Sequence, residues 1–118
     1  NVKIGNTSTY VSDGGAVTQN TVQSLAKAFY RGTSDITIEK AFNIGSGTDN
    51  GTGDYTYNLT NNMSDDDYVA IAGGHTGGNK LAVVSSFTTS SIRIDFFNAG
   101  TAGNIDGTTM ASVYGDLA

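Results

Sequence analysis

The residues of this chain that could act in chemistry are its acids and its one histidine. The 118 residues include 11 Asp and Glu and a single histidine, His75. Glycoside cleavage requires two carboxylates that flank the scissile bond, but nearly all of these acids lie in turn segments, where Asp accepts hydrogen bonds from nearby backbone amides. A Ser-His-Asp triad would depend on His75, and the sequence has no Gly-x-Ser-x-Gly motif to position a serine. We therefore predict that the chain is not an enzyme.

Motifs for metals and cofactors are also missing from the sequence. The chain has no Cys, which excludes thiol enzymes, disulfide scaffolds and zinc knuckles. The run Asp65-Asp66-Asp67 lacks the twelve-residue ligand spacing and the closing Glu of an EF-hand. The segments 45–47 and 51–53 are rich in Gly but lack the Lys and the helix of a phosphate loop. We expect no cofactor and no metal, except that three copies of His75 near a trimer axis could hold an ion.

Composition limits the possible partners. The net charge of −5 and the six scattered Lys and Arg exclude nucleic acid as a partner, because phosphate binding needs clustered cations. No apolar run is long enough to span a membrane or to form a signal peptide, so we expect a protein that is not membrane-embedded. Leu, Ile, Val and Phe account for only 25 residues, which predicts a thin core. Because residue 1 is not Met, we expect a fragment or a processed product.

Short alternating apolar runs predict an all-β fold. Tyr55, Tyr57 and Leu59 alternate with polar residues, as do Ile92, Ile94 and Phe96. Further strands are predicted near residues 25–31, 35–44, 68–72, 81–87 and 110–114. The turn signals between the runs recur at the spacing typical of antiparallel sandwiches. We predict a small antiparallel β-sandwich over residues 25–118.

The alternation also predicts which residues share a face. In the segment 35–44, Ile36, Ile38, Phe42 and Ile44 fall on one face, with Lys40 as the exception. A second set consists of Leu81, Val83, Ser85 and Phe87. The nearly unbroken apolar run 68–72 predicts a strand that is covered on both sides. Glu39 and Asp95 are expected on outward faces, as ion-pair partners of Lys40 or Arg93.

Residues 1–24 are expected to form a connecting segment that leads into the sandwich. Residues 1–11 suggest one or two short strands, and residues 12–15 interrupt them. The segment 18–28 is compatible with a short helix that has Thr18 as its N-cap, and equally with an extended linker.

Within the predicted sandwich, Asn50-Gly51 predicts a tight hairpin, because a type I′ turn needs positive φ at both central residues.

Several segments occur in the order found in a known family of small domains. The most specific is the hairpin Thr48-Asp-Asn-Gly-Thr-Gly-Asp-Tyr-Thr56. The others are residues 25–28, 36–38, 41–44, 63–71, 88–94 and 111–115. Over residues 25–116 the chain resembles the C-terminal receptor-binding domain of bacteriophage tail-fibre proteins. It departs from the family at Phe29, where Trp is usual, at Ser64, where Pro is common, and in a shorter connection over residues 31–35.

The resemblance implies a β-sandwich at the distal tip of a homotrimeric tail fibre. Such a domain is part of the virion, follows other tail proteins, and acts outside the cell by binding the bacterial surface without catalysis. The thin core also favours a homotrimer, because a partner subunit adds buried surface. Tyr10, Tyr30, Tyr114 and Phe97 are candidate interface residues, since aromatic residues are common in interfaces; Phe97 could equally turn into the sandwich.

Two glycine-rich loops are the best candidates for contact with a receptor. They cover residues 73–80 and 98–106, and they carry amides and hydroxyls of the kind that recognise a polysaccharide or an outer-membrane component. The candidate receptor-binding residues are His75, Thr76, Asn79, Lys80, Asn98, Thr101 and Asn104. The alternatives are a structural tail or capsid-decoration domain without a receptor, and a bacterial surface adhesin or carbohydrate-binding module.

Overall fold

The computed structural model describes residues 1, 3–5, 7–11, 13–15, 18–75 and 77–118. Within these residues the chain forms ten strands and no helix, and none of them belongs to a helix that could cross a membrane. The strands are β1 (Thr9–Val11), β2 (Thr18–Asn20), β3 (Ala28–Gly32), β4 (Ile38–Phe42), β5 (Ile44–Gly51), β6 (Asp54–Leu59), β7 (Val69–His75), β8 (Lys80–Thr88), β9 (Ser91–Asn98) and β10 (Thr108–Tyr114).

Eight of these strands form two four-stranded antiparallel sheets. The first sheet has the order β4-β3-β10-β7, and the second sheet has the order β5-β6-β9-β8. The inner faces of both sheets contribute to one core, which is made of buried residues from β3, β6, β9 and β10 and their neighbours. The prediction of an all-β, antiparallel sandwich-like fold is therefore confirmed.

Aromatic rings fill much of the core between the sheets. The rings of Tyr30 on β3 and Tyr57 on β6 stack with their centroids 3.6 Å apart, and the Tyr30 hydroxyl shares a hydrogen bond of 2.8 Å with the hydroxyl of Thr109. Burial raises the pKa of Tyr30 above its usual range, so the hydroxyl stays neutral. The expectation that Tyr30 is an interface residue is wrong, because its side chain is only 2% exposed and lies in the core.

The predicted hairpin forms, but its tight turn is shifted along the chain. Gly51 and Asp54 are paired across β5 and β6, so the turn consists of Thr52 and Gly53 instead of Asn50 and Gly51. Gly53 has φ of +63°, and a Cβ there would lie 2.3 Å from the carbonyl oxygen of Phe96. Glycine is therefore required at position 53, because φ is positive there and because the neighbouring strand leaves no room for a side chain.

Register shifts on two strands each remove a residue from the face that the alternation predicts. Ile36, Ile38 and Ile44 pack against the core together, as predicted. On β4, Phe42 is 54% exposed and stacks on Phe29 on the outer surface, because the pairing of β3 with β4 shifts register next to Gly32. On β8, Leu81 and Val83 point outward and their neighbours face the core. A second register shift, between residues 84 and 86, reverses which side chains of the following part of β8 face the core, so that Phe87 pairs with Ile92. Bulges of this kind insert one residue and invert the alternation beyond them.

The outer face of the first sheet is open. Val69 and Ile71 on β7 are 58% and 62% exposed, although the sequence predicts a strand covered on both sides. Both residues point away from the core, and no described element of the chain covers them. That prediction is therefore wrong for the single chain.

The N-terminal segment is extended where it enters the sandwich. Residues 18–20 pair with residues 9–11 as a short ribbon, and a turn follows before β3 begins. Of the two alternatives for residues 18–28, the described residues are therefore strand and turn and not helix. Lys27 anchors the entry: its backbone N–H donates to the carbonyl of Val113 at 2.7 Å, and its ammonium donates to the carbonyls of Val22 and Leu25.

Two glycines make room for the largest apolar ring of the core. A Cβ at Gly74 on β7 would lie 2.3 Å from one edge of the Phe96 ring, and a Cβ at Gly107 would lie 2.1 Å from the opposite edge. Real Cβ atoms do not approach so closely, so the ring of Phe96 fits only because both side chains are absent. Gly74 is therefore a packing requirement within a strand and not a loop residue.

We expect Gly74→Ala to destabilise the fold by about 1–3 kcal/mol, because the added methyl group overpacks the core against Phe96. The matched control is Gly77→Ala, where a Cβ would meet no atom within 4 Å; its effect should stay within about 0.5 kcal/mol. Urea unfolding monitored by circular dichroism measures both. Equal stability of the two variants would contradict this role of Gly74.

Candidate functional site

The two ends of the sandwich carry different segments of the chain. Because the strands are antiparallel, the connections that follow β3, β5, β7 and β9 all lie at one end, which we call the loop pole. The N-terminal segment enters at the opposite end, the N-terminal pole, beside the last residues of β10. The longest dimension of the chain is 50 Å and the others are 28 and 25 Å.

The first predicted loop is shorter than expected. Strand β7 continues to His75 and β8 begins at Lys80, so only residues 76–79 connect them. His75 pairs with Thr108 at the start of β10 and is exposed. Thr76 lies outside the described residues. Asn79 is exposed, whereas Lys80 is half-buried.

The structure brings the two predicted loops together at the loop pole. The backbone N–H of Ala99 donates a hydrogen bond of 2.8 Å to the carbonyl of Asn79, which joins the two loops directly. Lys80 and Asn98 are register partners at the ends of β8 and β9. The six described candidate residues therefore come from adjoining segments of one surface.

Asn98 positions its own loop. Its side-chain oxygen accepts a hydrogen bond of 2.9 Å from the N–H of Gly100, and its carbonyl accepts one of 2.7 Å from the N–H of Ala102. Ala102 has φ of +57°, which few residues other than glycine adopt without support. By contrast, Thr101 and Asn104 are exposed, so their side chains are accessible to a ligand.

Asp106 fastens the β9–β10 loop to the β5–β6 hairpin. One of its carboxylate oxygens accepts hydrogen bonds from the N–H of Gly53 at 2.9 Å and from the Tyr55 hydroxyl at 3.2 Å. The Tyr55 oxygen in turn accepts a bond of 3.2 Å from the N–H of Gly107. Burial, together with the Asp106 charge, raises the pKa of Tyr55 to about 12, so the hydroxyl keeps its proton and donates. Sequence reasoning missed this link, because 53 residues separate Gly53 from Asp106.

A further acid near the loop pole is engaged locally. Asp35, in the β3–β4 connection, accepts hydrogen bonds from the hydroxyl of Thr33 and from the N–H of Thr37, and these bonds lower the pKa of Asp35 below its usual value. Within the described ranges, no group of three or more His, Asp or Glu side chains could hold a metal ion. The contacts of Asp35 are those of an acid that caps a turn.

Two ion pairs differ from the expected ones. Glu39 pairs with Arg31, at 2.7 Å, instead of with Lys40. Arg93 forms a two-pronged contact with Asp54 on the neighbouring strand instead of with Asp95. The Arg93 hydrogen bonds lower the pKa of the Asp54 carboxyl below its usual value.

Comparisons of the chain with protein-family models, with curated proteins and with solved structures found no match. Function is therefore inferred from the geometry of the loop pole and from the chemistry of its side chains.

We expect Asp106→Ala to destabilise the chain by about 1–3 kcal/mol, because two buried or half-buried donors lose their shared acceptor. Asp106→Asn keeps one oxygen and should restore part of the loss. Asp66→Ala, at an exposed acid outside this network, is the matched control, with an expected effect within about 0.5 kcal/mol. The measurement is thermal unfolding. Unchanged stability in Asp106→Ala would show that the loops are held by other contacts.

Acid should weaken the fold partly through Asp54. Because its pKa is lower in the folded chain than the ordinary value of about 3.9, its contribution is complete above that value and is lost as the pH falls through the folded pKa. Asp54→Asn should therefore be less stable than the original chain at pH 7, and the difference should shrink between about pH 5 and pH 2. Urea unfolding at a series of pH values tests this. Parallel curves over the whole range would contradict it.

Proposed function

We propose that this chain is the distal tip domain of a bacteriophage tail fibre, which binds the bacterial cell surface without catalysis and acts as a homotrimer on the virion, outside the host. The observation that carries the proposal is the polarity of the fold. The exposed loop residues and the entering N-terminal segment lie at opposite poles. A domain attached by its N-terminal pole to a fibre would present the loop pole to a cell.

The chemistry of the loop pole suits a surface polysaccharide or a polar outer-membrane component. Exposed hydroxyl, amide and imidazole groups are available at Thr101, Asn79, Asn104 and His75. These groups donate and accept hydrogen bonds, as recognition of sugar hydroxyls requires. The Asp106 link and the sheets hold the backbone in place, which reduces the entropy lost on binding.

The trimer is supported by the thin core and by the open outer face of the first sheet. Exposed Val69 and Ile71 would gain burial from a second copy. Three linked copies also raise the overall strength of attachment, so that a weak single site suffices. A structural tail or decoration domain, or a bacterial adhesin or carbohydrate-binding module, would share the sandwich, and the experiment below separates them.

The double variant Thr101→Ala/Asn104→Ala should bind cells at least about tenfold more weakly than the original chain, because two polar contacts are lost in each copy. The measurement is adsorption of the fluorescently labelled chain to a panel of bacterial strains. The matched control is Thr89→Ala/Asn62→Ala, which removes the same groups from exposed residues at the N-terminal pole. The control should bind as the original chain does.

Other outcomes would point to the alternatives. Failure of the original chain to bind any strain would favour a structural domain. Binding by a monomer to isolated glycans would favour an adhesin or carbohydrate-binding module. Release of sugar fragments from purified surface polysaccharide would contradict a non-enzymatic role.

A further inference from the structure

The outer surface of the first sheet carries an apolar patch, which we call the open face. Its most exposed apolar side chains are those of Phe29, Phe42, Val69 and Ile71, at 37–62% exposure. Along the middle of this face runs a groove of about 490 Å³, which passes over Gly73. Contiguous exposed apolar surface of this kind is typical of a protein-binding site.

The open face also carries positive charge. Arg31 and Lys40 are register partners on β3 and β4, and both line the groove. Arg31 is paired with Glu39, whereas Lys40 belongs to neither of the two ion pairs formed by the described residues. If the open faces of two copies packed on each other symmetrically, their Lys40 side chains would be brought to the same apolar contact, which is unfavourable.

A second, smaller apolar patch lies on the outer surface of the second sheet, and we call it the β8–β9 face. Leu81 and Val83 are 49% and 40% exposed there. Their register partners across the strands are Phe97 and Asp95. Arg93 on the same surface is paired with Asp54, so Asp95 belongs to neither described ion pair. The charge of Arg93 also acts on Asp95, so Asp54, Arg93 and Asp95 together leave this face with a net negative charge. The open face is apolar with a positive charge, that of Lys40, which belongs to no described ion pair.

We infer that the open face of one copy docks on the β8–β9 face of the next copy, with Lys40 facing Asp95 across the contact. The contact joins two different surfaces, and such a head-to-tail contact closes into a ring when the rotation between copies permits. The inference rests on the homotrimer of the proposed function and identifies the surfaces that form it.

A contact between the two faces leaves both poles free. Each face lies on the outside of a sheet, along the strands and between the poles. Copies packed side by side about an axis parallel to the strands would place their N-terminal segments at one end. Their β7–β8 and β9–β10 loops would lie together at the other end. The interface would then bury apolar side surfaces and leave the polar loops accessible.

Charge reversal tests the pairing. The original chain should have three times the 12.2 kDa mass of one chain at micromolar concentration in sedimentation equilibrium. Lys40→Glu and Asp95→Lys should each weaken association by on the order of tenfold to a hundredfold, because like charges then meet at the contact. The double variant Lys40→Glu/Asp95→Lys should recover most of the lost association.

Matched controls are Lys3→Glu and Asp66→Lys, which reverse the same charges at exposed residues on neither face; both should remain trimeric. Ile71→Asp, at a residue exposed in the single chain, should dissociate the trimer while circular dichroism shows a folded chain. A monomeric or dimeric original chain, single variants that stay trimeric, or a double variant that remains dissociated would each overturn the inference.

Adsorption to cells, measured on the same samples, separates this inference from the proposed function. If the charge variants behave as expected but the trimer binds no strain, the interface stands and the receptor-binding function fails. If the trimer binds cells and the charge reversals leave its mass unchanged, the receptor-binding function stands and the interface lies elsewhere.

Discussion

The packing of Phe96 is the contact on which the loop pole depends. Its ring is fully buried between the sheets, and it fits because Gly74 and Gly107 have no side chains on either edge. The backbone of the same residue accepts a hydrogen bond from Ile105 and donates one to Gly53. One residue therefore sets the spacing of the sheets and also fixes the hairpin and the β9–β10 loop. A change that displaced the ring would displace the candidate receptor surface with it.

Tyrosine makes a stable core possible in a chain with few aliphatic residues. Each ring supplies a large buried area, but its hydroxyl needs a hydrogen-bond partner when water is excluded. Tyr30 finds Thr109, Tyr55 finds Asp106, and Tyr68 donates to backbone carbonyls at the N-terminal pole. These three hydroxyls thereby join elements that are distant in sequence, whereas the buried Tyr57 hydroxyl has no hydrogen-bond partner among the described residues. The abundance of Thr and Asp in the composition has a structural use that is separate from ligand binding.

Alternation along the chain was sufficient to predict β6 and β9, because both are central strands of their sheet and have no register shift in their mutual pairing. It was insufficient for β4 and β8, where a bulge inverts the pattern and places Phe42 outside. The positions of the two loops were predictable from their glycine and amide content, but the extent of the first was not, because β7 continues to His75. Their contact through Ala99 was not, and neither was the link through Asp106, because such contacts arise from sheet topology and leave no local pattern.

The apolar residues of β7 follow one another with no polar residue between them, as in strands that are covered on both faces. The chain itself covers only the inner face, so the side chains of Val69 and Ile71 remain in water. Keeping two aliphatic side chains exposed forgoes on the order of 1 kcal/mol or more of hydrophobic stabilisation for each of them. A second copy that packed against this surface would supply the missing cover. In such an assembly the thin core and the open face would have one cause, since part of the hydrophobic surface of the chain would be used between subunits and not within one.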